Sequence, residues 1–299
     1  MKMVTIIIPT YKSDVTLRRA IDSALAQSYA NIEIIVVDDN NPDTIERKNT
    51  EVLMGEYDGN NRVVYIKHEK NQNGSTARNT AFGVSRGEYI AFLDDDDYYL
   101  QEKTQKQVEF LESHLDVGGC YCWRKQFGKN ICGTMEGDFS YQLLSLEFTP
   151  YTSCLMIRRE CYIALNGFDE TYYRHQDFEF LLRFFEKYTL GYVDYIGVVI
   201  SSNGINNTPK GEKLYAIKEH FFNQFQKTID NVTGNDIKKK QYIYCNHFVR
   251  AFKYLIRYRY FKTAMKMYIN YKSKCGSGFW KLFFRLIFLG MRERITGKR

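Results

Sequence analysis

The chain has 299 residues, of which 44% are hydrophobic and 26% charged, a balance that excludes a disordered chain and supplies a sizeable core. Its net charge of +7 is uneven: from Arg250 to Arg299 there are 14 Lys and Arg against one acid, Glu293 (+13), leaving 28 basic and 34 acidic residues (−6) elsewhere. An acidic body with a basic tail points to an anionic surface as the tail's partner, while seven scattered cysteines without CxxC spacing argue for reduced thiols in a cytosolic protein.

Strand and helix signals alternate through the first half. No basic-then-apolar leader precedes the first strand signal, so no cleaved secretion signal is expected. The run VTIIIP, Val4 to Pro9, is β-branched and closed by proline. Leu17, Ala20, Ile21, Ala24 and Leu25 then recur at helical spacing. Ile32 to Asp39 (IEIIVVDD) predicts a second strand and Arg62 to His68 (RVVYIKH) a third. Ala77, Ala81 and Val84 mark a helix before a strand from Tyr89 to Leu93, and Val108 and Leu111 mark another helix after it. Strands apolar throughout, alternating with helices, predict an α/β domain with a mostly parallel sheet covered by helices on both faces.

Ligands of such sheets bind at the carboxyl ends of the strands. Two of those ends carry acids: Asp38 and Asp39 after the second strand, and Asp94 to Asp97 after the fourth. Four consecutive carboxylates repel unless a solvated turn or a cation relieves them. Magnesium and manganese take oxygen ligands, often one or two carboxylates completed by substrate phosphates, and the second acidic strand end favours the metal reading.

Further on, NGFDE (Asn166 to Glu170) ends a short helix with a glycine, and Phe168 is expected in the core. In RHQDFEFLLRF, Leu181, Leu182 and Phe185 follow Asp177 at helical spacing. That puts Asp177 at a helix N-terminus, either as a cap or as a carboxylate kept ionised by the backbone amides. Beyond about Asn206 helices dominate. In GFWKLFFRLIFLGMRER, Lys281, Arg285 and Arg292 fall near one face, and Trp280, Phe283, Phe284, Ile287 and Phe288 cover the rest. The apolar stretch is about a dozen residues, against about 20 needed to span a bilayer. An interfacial helix on an anionic membrane is the expectation, with a packed helical domain as the alternative, and nothing else reads as a nucleic-acid module.

VTIIIPTYK, IEIIVVDDNN, NGSTARNTAFGVSRGEYIAFLDDDDYY, NGFDE and HQDFEFLLRF together resemble, in order and spacing, the family 2 glycosyltransferases of GT-A fold, over roughly residues 3 to 200. The resemblance implies a GT-A domain over residues 1–205, with a helical, basic and aromatic extension over 206–299. It implies inverting sugar transfer from a nucleoside diphosphate donor, a uridine diphosphate sugar foremost. Pro9, Thr10 and Tyr11 would line the nucleotide site, Asp39 would accept from the uracil ring with Asp38 beside it, and Arg78 would approach the base or diphosphate. Asp96 is the implied ligand of Mn2+ or Mg2+, with Asp94 as its DxD partner and Asp94 or Asp95 near the ribose. Asp177 would be the base, although the family usually shows Glu-Asp where this chain has Gln176-Asp177. Glu179 is the fallback, and Asp169, His175 and Gln176 are candidate acceptor contacts. A surface helix is the alternative for Arg78, and a turn or cap for Asp38.

The combined expectation is a metal-dependent hexosyl- or N-acetylhexosaminyl-type transferase at the inner face of the cell membrane. Its acceptor would be a glycan or a polyprenyl-linked precursor of a surface polysaccharide. Rivals are a catalytically inactive sugar-nucleotide-binding scaffold and a nucleotidyltransferase. The latter would want a Gly-rich, Lys-bearing phosphate loop after the first strand, and PTYKSD is not one.

Overall fold

The computed structural model describes residues 1–201 and 209–296. The chain divides into two compact units, Met1–Phe139 with Pro150–Ile205, and Ser140–Thr149 with Asn206–Arg299.

The first unit opens with β1 (Val4–Thr10), α1 (Asp14–Leu25), β2 (Ile32–Asp38), α2 (Ile45–Gly55), β3 (Val63–Lys67), α3 (Gly74–Val84) and β4 (Tyr89–Phe92). Strand β1 pairs in parallel with β2 and β4, and β2 with β3. The β-branched runs of β1 and β2 are buried along almost their whole length. Leu17, Ala20, Ile21 and Ala24 of α1 and Ala77 and Ala81 of α3 are fully buried. Small alanines let both helices sit close on β1 and β2.

Beyond β4 the sheet departs from the expected parallel pattern. The chain continues through β5 (Tyr98–Tyr99), α4 (Lys103–Ser113), β6 (Gly119–Gln126) and β7 (Lys129–Ile131). After α5 (Ser140–Leu144), part of the second unit, come a 3-10 turn (Thr152–Cys154), β8 (Leu155–Arg158), α6 (Arg159–Ala164), α7 (Gln176–Phe185) and β9 (Leu190–Ile200). The strand order is β3-β2-β1-β4-β8-β6-β9-β5, with β7 on β6. Strand β8 runs antiparallel to both β4 and β6, and β9 lies parallel to β6 and antiparallel to β5.

The two ends of the β1–β2–β4 core differ in chemistry. At the amino end the buried Glu33 carboxylate accepts from Thr5 Oγ1 at 2.6 Å, from Arg86 Nε at 2.9 Å and from the Gly87 amide at 3.2 Å. A Cβ at Gly87 would lie 2.5 Å from the Thr5 amide nitrogen, so only glycine lets α3 turn into β4 this tightly. At the carboxyl end, the register Thr10↔Asp38 and Ile7↔Phe92 brings Thr10, Asp38 and the segment after Phe92 to one rim.

The second unit is helical: α5, α8 (Gly211–Gln224), α9 (Gln226–Thr233), α10 (Ile237–Arg257), α11 (Phe261–Cys275) and α12 (Gly278–Thr296). Aromatic rings fill its core, with Phe222 4.8 Å from Tyr244 and Phe248 stacked 3.6 Å from Tyr271. His247 lies fully buried between the Leu144 carbonyl (2.8 Å from Nε2) and Lys218 Nζ (3.0 Å from Nδ1). Burial and the Lys218 charge hold its pKa well below the usual histidine value. No helix among the described residues is long and apolar enough to cross a membrane. All seven cysteines are free thiols, and six of them are buried.

Candidate active site

The site gathers at the carboxyl ends of β1, β2 and β4. From β1, Tyr11 is exposed, and its amide donates to Asp95 Oδ2 at 3.1 Å. Thr10 is buried, with its side chain beside the Asp95 carboxylate. Lys12, at φ +60°, donates its amide to Asn40 Oδ1 at 3.0 Å, which ties the β1 loop to the β2 loop.

The two acids after β2 are buried and heavily bonded. Asp38 Oδ1 accepts from the Asn40 amide (2.9 Å) and Asn40 Nδ2 (2.8 Å). Its Oδ2 accepts from Tyr65 Oη at 2.7 Å and faces Arg47 Nε at 3.0 Å. With no solvent exposure and all of these partners internal, the Asp38 carboxylate holds the loop's shape. Asp39 Oδ1 accepts from His68 Nδ1 and the Gln72 amide, both at 2.8 Å. Its Oδ2 accepts from Asn71 Nδ2 (2.7 Å) and the Asn73 amide (2.9 Å). The other ring nitrogen of His68, Nε2, lies 3.0 Å from Thr80 Oγ1. Among these donors only Asn71 belongs to an exposed residue, and its side chain is the one an incoming donor group could displace.

Helix α3 begins at Asn73, whose side chain caps the Ser75 and Thr76 amides at 2.8 and 3.2 Å. One turn later comes Arg78, which is 6% exposed and so not a helix-surface cation. Its Nη2 donates to Asp94 Oδ1 at 2.7 Å and its Nη1 to Gln176 Oε1 at 2.9 Å, while the guanidinium lies 5.3 Å over the Phe168 ring. Phe168 is in the core, as its sequence context suggests.

The four acids after β4 divide into different roles. Asp94 answers Arg78, and Asp95 receives the Tyr11 amide. Asp97 is buried, with Oδ2 accepting from Ser153 Oγ at 2.7 Å and Oδ1 from the Ser201 amide at 3.0 Å. Ser153 also accepts from the Asp94 amide at 3.1 Å. Asp96 has its backbone carbonyl held by Arg19 Nη2 at 2.7 Å, but no side chain among the described residues donates to its carboxylate. Desolvation, with repulsion from the neighbouring acids, pushes Asp95 up to about 7, Asp96 to about 6 and Asp97 to about 8. Negative charge is in excess here.

Among the described residues no three His, Cys, Asp or Glu side chains converge as a protein-only metal cage. An open Asp96 beside a half-committed Asp94 instead fits a hard cation that takes much of its shell from ligand oxygens.

Helix α7 faces this turn through the Arg78–Gln176 bond. It starts after His175, held at φ +62°, and Gln176 Nε2 donates to the Tyr172 carbonyl at 2.8 Å. Asp177 stands in the first turn. Desolvation raises its pKa, with Phe178's amide and the Arg78 charge pulling it down and Asp94 pushing it up. The fields of Arg78 and Asp94 therefore reach the candidate base. Glu179 is fully buried and ion-paired with Arg183, which also donates to the Leu165 (2.6 Å) and Gly167 (2.9 Å) carbonyls. Through Arg183 it braces the NGFDE turn, so its carboxylate is already committed. Asp169 is half-buried and accepts from the Thr171 amide (2.8 Å) and hydroxyl (2.7 Å). The half-buried His175 ring lies 5.3 Å from Phe178. Sequence reasoning missed Ser153, Arg19, Asn71 and His68, because their partners are remote in sequence and no local motif marks them.

Comparison with known proteins agrees with this architecture. The profile of Glycosyl transferase family 2 matches residues 5–148. An uncharacterized glycosyltransferase of Haemophilus influenzae is 38% identical over 187 residues, covering 61% of this chain and 71% of the relative. The Escherichia coli UDP-Glc:alpha-D-GlcNAc-diphosphoundecaprenol beta-1,3-glucosyltransferase WfaP is 37% identical over 113 residues, 38% of this chain and 43% of that protein. Among solved structures, Staphylococcus aureus TarS 1-349 in complex with UDP-GlcNAc aligns with a TM-score of 0.63 at 18% identity, covering 85% of this chain and 73% of that one. The chain is a member of glycosyl transferase family 2.

Proposed function

We propose that this chain transfers a sugar from a nucleoside diphosphate sugar, a uridine diphosphate sugar foremost, with inversion at the anomeric carbon. The acceptor would be a glycan or a polyprenyl-linked intermediate in surface polysaccharide synthesis. The observation that carries the reading is the Arg78 bridge, which joins Asp94 of the acidic turn to Gln176 at the start of the Asp177 helix. Donor-side and acceptor-side chemistry thereby share one cation. The WfaP relative, whose name specifies a UDP-sugar donor and a lipid-linked acceptor, supports the same class.

In this reading Pro9, Thr10, Tyr11, Asp39 and Asp95 surround the nucleotide, and Asp38 keeps their loop in place. Asp96 and Asp94 would hold Mn2+ or Mg2+ together with the donor's diphosphate oxygens, and the cation supplies charge neutralisation for the departing diphosphate. Ionised Asp177 accepts the acceptor hydroxyl's proton as that oxygen bonds to the anomeric carbon. The bond from that carbon to the diphosphate breaks, and its electron pair leaves with the nucleoside diphosphate. Entry opposite the leaving group inverts the configuration. Asp169, His175 and Gln176 lie on the acceptor side. We assign catalysis to residues 1–205, and to 206–299 contact with an anionic membrane at its cytoplasmic face, on the strength of the tail's +13 charge.

The test is a panel of nucleotide sugars assayed for hydrolysis and transfer, with and without chelator, for wild type and Asp96→Asn. Cation-dependent release of nucleoside diphosphate, lost in Asp96→Asn, is expected. Donor binding without any cleavage would make the chain a binding scaffold, and conversion of the nucleotide sugar to a nucleoside triphosphate and sugar 1-phosphate only when pyrophosphate is added would make it a nucleotidyltransferase.

A further inference from the structure

The two last helices repeat one surface pattern that the sequence reading saw only in part. Along α11 the exposed residues run Phe261-Lys262, Met265-Lys266 and Ile269-Asn270; along α12 they run Trp280-Lys281, Phe284-Arg285 and Phe288. An apolar residue every four positions, with a polar or basic one beside it, draws an outward stripe along each helix. The six apolar residues are between 43% and 68% exposed. They are not core residues turned outward by poor packing, because each helix has a separate buried set. On α11 this is Thr263, Ala264, Met267 and Tyr271. On α12, Phe279 and Phe283 lie 5.3 and 5.4 Å from the Phe252 ring of α10. Phe283, expected on the apolar outer surface, thus faces inward.

The stripes meet. Trp280 Nε1 donates to Tyr268 Oη at 3.1 Å with the rings 5.3 Å apart, and Lys253 Nζ donates to the Leu286 carbonyl at 2.7 Å, which holds α12 against α10. From Phe261 to Phe288 there are six Lys and Arg and no Asp or Glu. Among the described residues only Lys266 of this set has an acidic ion-pair partner, Glu212 at 3.2 Å. Aromatic and aliphatic side chains interleaved with long cations match the boundary of an anionic bilayer, where rings enter the headgroup layer and Lys and Arg reach the phosphates.

We propose that α11 and α12 together form one docking face for an anionic phospholipid surface. This deepens the membrane reading given above, which assigned the contact to residues 206–299 without a face and, from the sequence, singled out the last helix, and it rests on that reading. The full chain is tested by co-sedimentation with vesicles of zwitterionic lipid alone or with added anionic lipid, over a salt series. Wild type should bind the anionic vesicles and release as salt rises. Met265→Ser with Ile269→Ser on α11, and Phe284→Ser with Phe288→Ser on α12, should each weaken binding about tenfold or more, with donor hydrolysis unchanged. If a serine pair lowers the melting temperature, a charge reversal on the same helix replaces it, Lys262→Glu with Lys272→Glu on α11 or Lys281→Glu with Arg285→Glu on α12, and should weaken binding likewise. If the α12 pair loses binding while both α11 pairs bind as wild type, the two-helix face is wrong and the one-helix reading stands. If wild type ignores both vesicle types, both readings fall. Self-association abolished by these substitutions, without vesicle binding, would assign the face to a second copy and overturn the proposal.

Discussion

Asp177→Asn and Glu179→Gln, two residues apart on α7, should fail in opposite ways. The Asp177 carboxylate is partly desolvated and its pKa is raised, which suits a base poised closer to neutral pH. Removing a positioned base costs roughly 10²–10⁴-fold in rate, or about 3–5 kcal/mol of barrier. The sign on stability is the reverse. A carboxylate whose folded pKa lies above its unfolded value contributes stability as pH falls through the folded pKa, and its ionised form costs stability above it. A neutral Asn lacks that cost, so Asp177→Asn should melt at or above the wild-type temperature at neutral pH. Glu179 is fully buried against Arg183. Breaking a buried pair costs about 3–5 kcal/mol. Arg183 is 23% exposed and keeps two carbonyl partners, so about 2–3 kcal/mol is expected, a fall of about 5–10 °C in melting temperature. Transfer rate per folded molecule and thermal denaturation, each followed across pH, separate the cases. Wild-type transfer should decline as pH is lowered through a pKa above the ordinary aspartate value. Near wild-type transfer by Asp177→Asn with a dead but folded Glu179→Gln would make Glu179 the base and refute the reasoning.

Three further outcomes follow from particular contacts. Because Asp95, Asp96 and Asp97 sit at about 7, 6 and 8, the cation-free protein should gain stability as pH falls through that range. Mn2+ should therefore raise the melting temperature more at alkaline than at mildly acidic pH, and an equal rise at both would count against the site. Calorimetry should show uridine diphosphate binding more tightly than guanosine or adenosine diphosphate. Asp39→Asn should erase the preference while Asn71→Ala leaves it, and equal affinities across the bases would exclude Asp39 as the base reader. Gly87→Ala should destabilise the first unit by about 2–4 kcal/mol, since its Cβ would meet the Thr5 amide nitrogen at 2.5 Å, and an unchanged denaturation midpoint would show that the turn yields.

The parallel core was legible because it is encoded locally. Val4–Thr10 and Ile32–Asp38 are β-branched, apolar and buried on both faces, and the alanines of α1 and α3 recur at helical spacing. The other half of the sheet was not legible. GCYCWRKQ of β6 alternates poorly, and β8 pairs antiparallel with β4 across more than sixty residues of chain, so its direction depends on tertiary packing. The acidic run shows the same division. Its place at a strand end was readable, but the assignment of each acid was not. Asp97 is set by Ser153, 56 residues away, and Asp94 by an arginine that also grips Gln176, 98 residues from Arg78.

That division explains why a chain would stack four like charges behind a buried strand. Three of the four are answered by the protein: Asp94 by Arg78, Asp95 by the Tyr11 amide, Asp97 by Ser153 and Ser201. These contacts fix the turn's shape without neutralising it, because hydroxyls and amides bring no full charge and Arg78 brings only one. The surplus is borne jointly by the turn and is felt as far as Asp177. A divalent cation held beside Asp96 and Asp94 would offset their charge locally, and that change would reach Asp177 through the same field. With the Asp94 charge met by a cation, its push on Asp177 weakens, and the base becomes easier to ionise once the donor is seated. The acid limb for transfer should accordingly lie lower in the donor complex (kcat) than in the free enzyme (kcat/KM), and coincident limbs would show that the acidic turn and the base do not communicate.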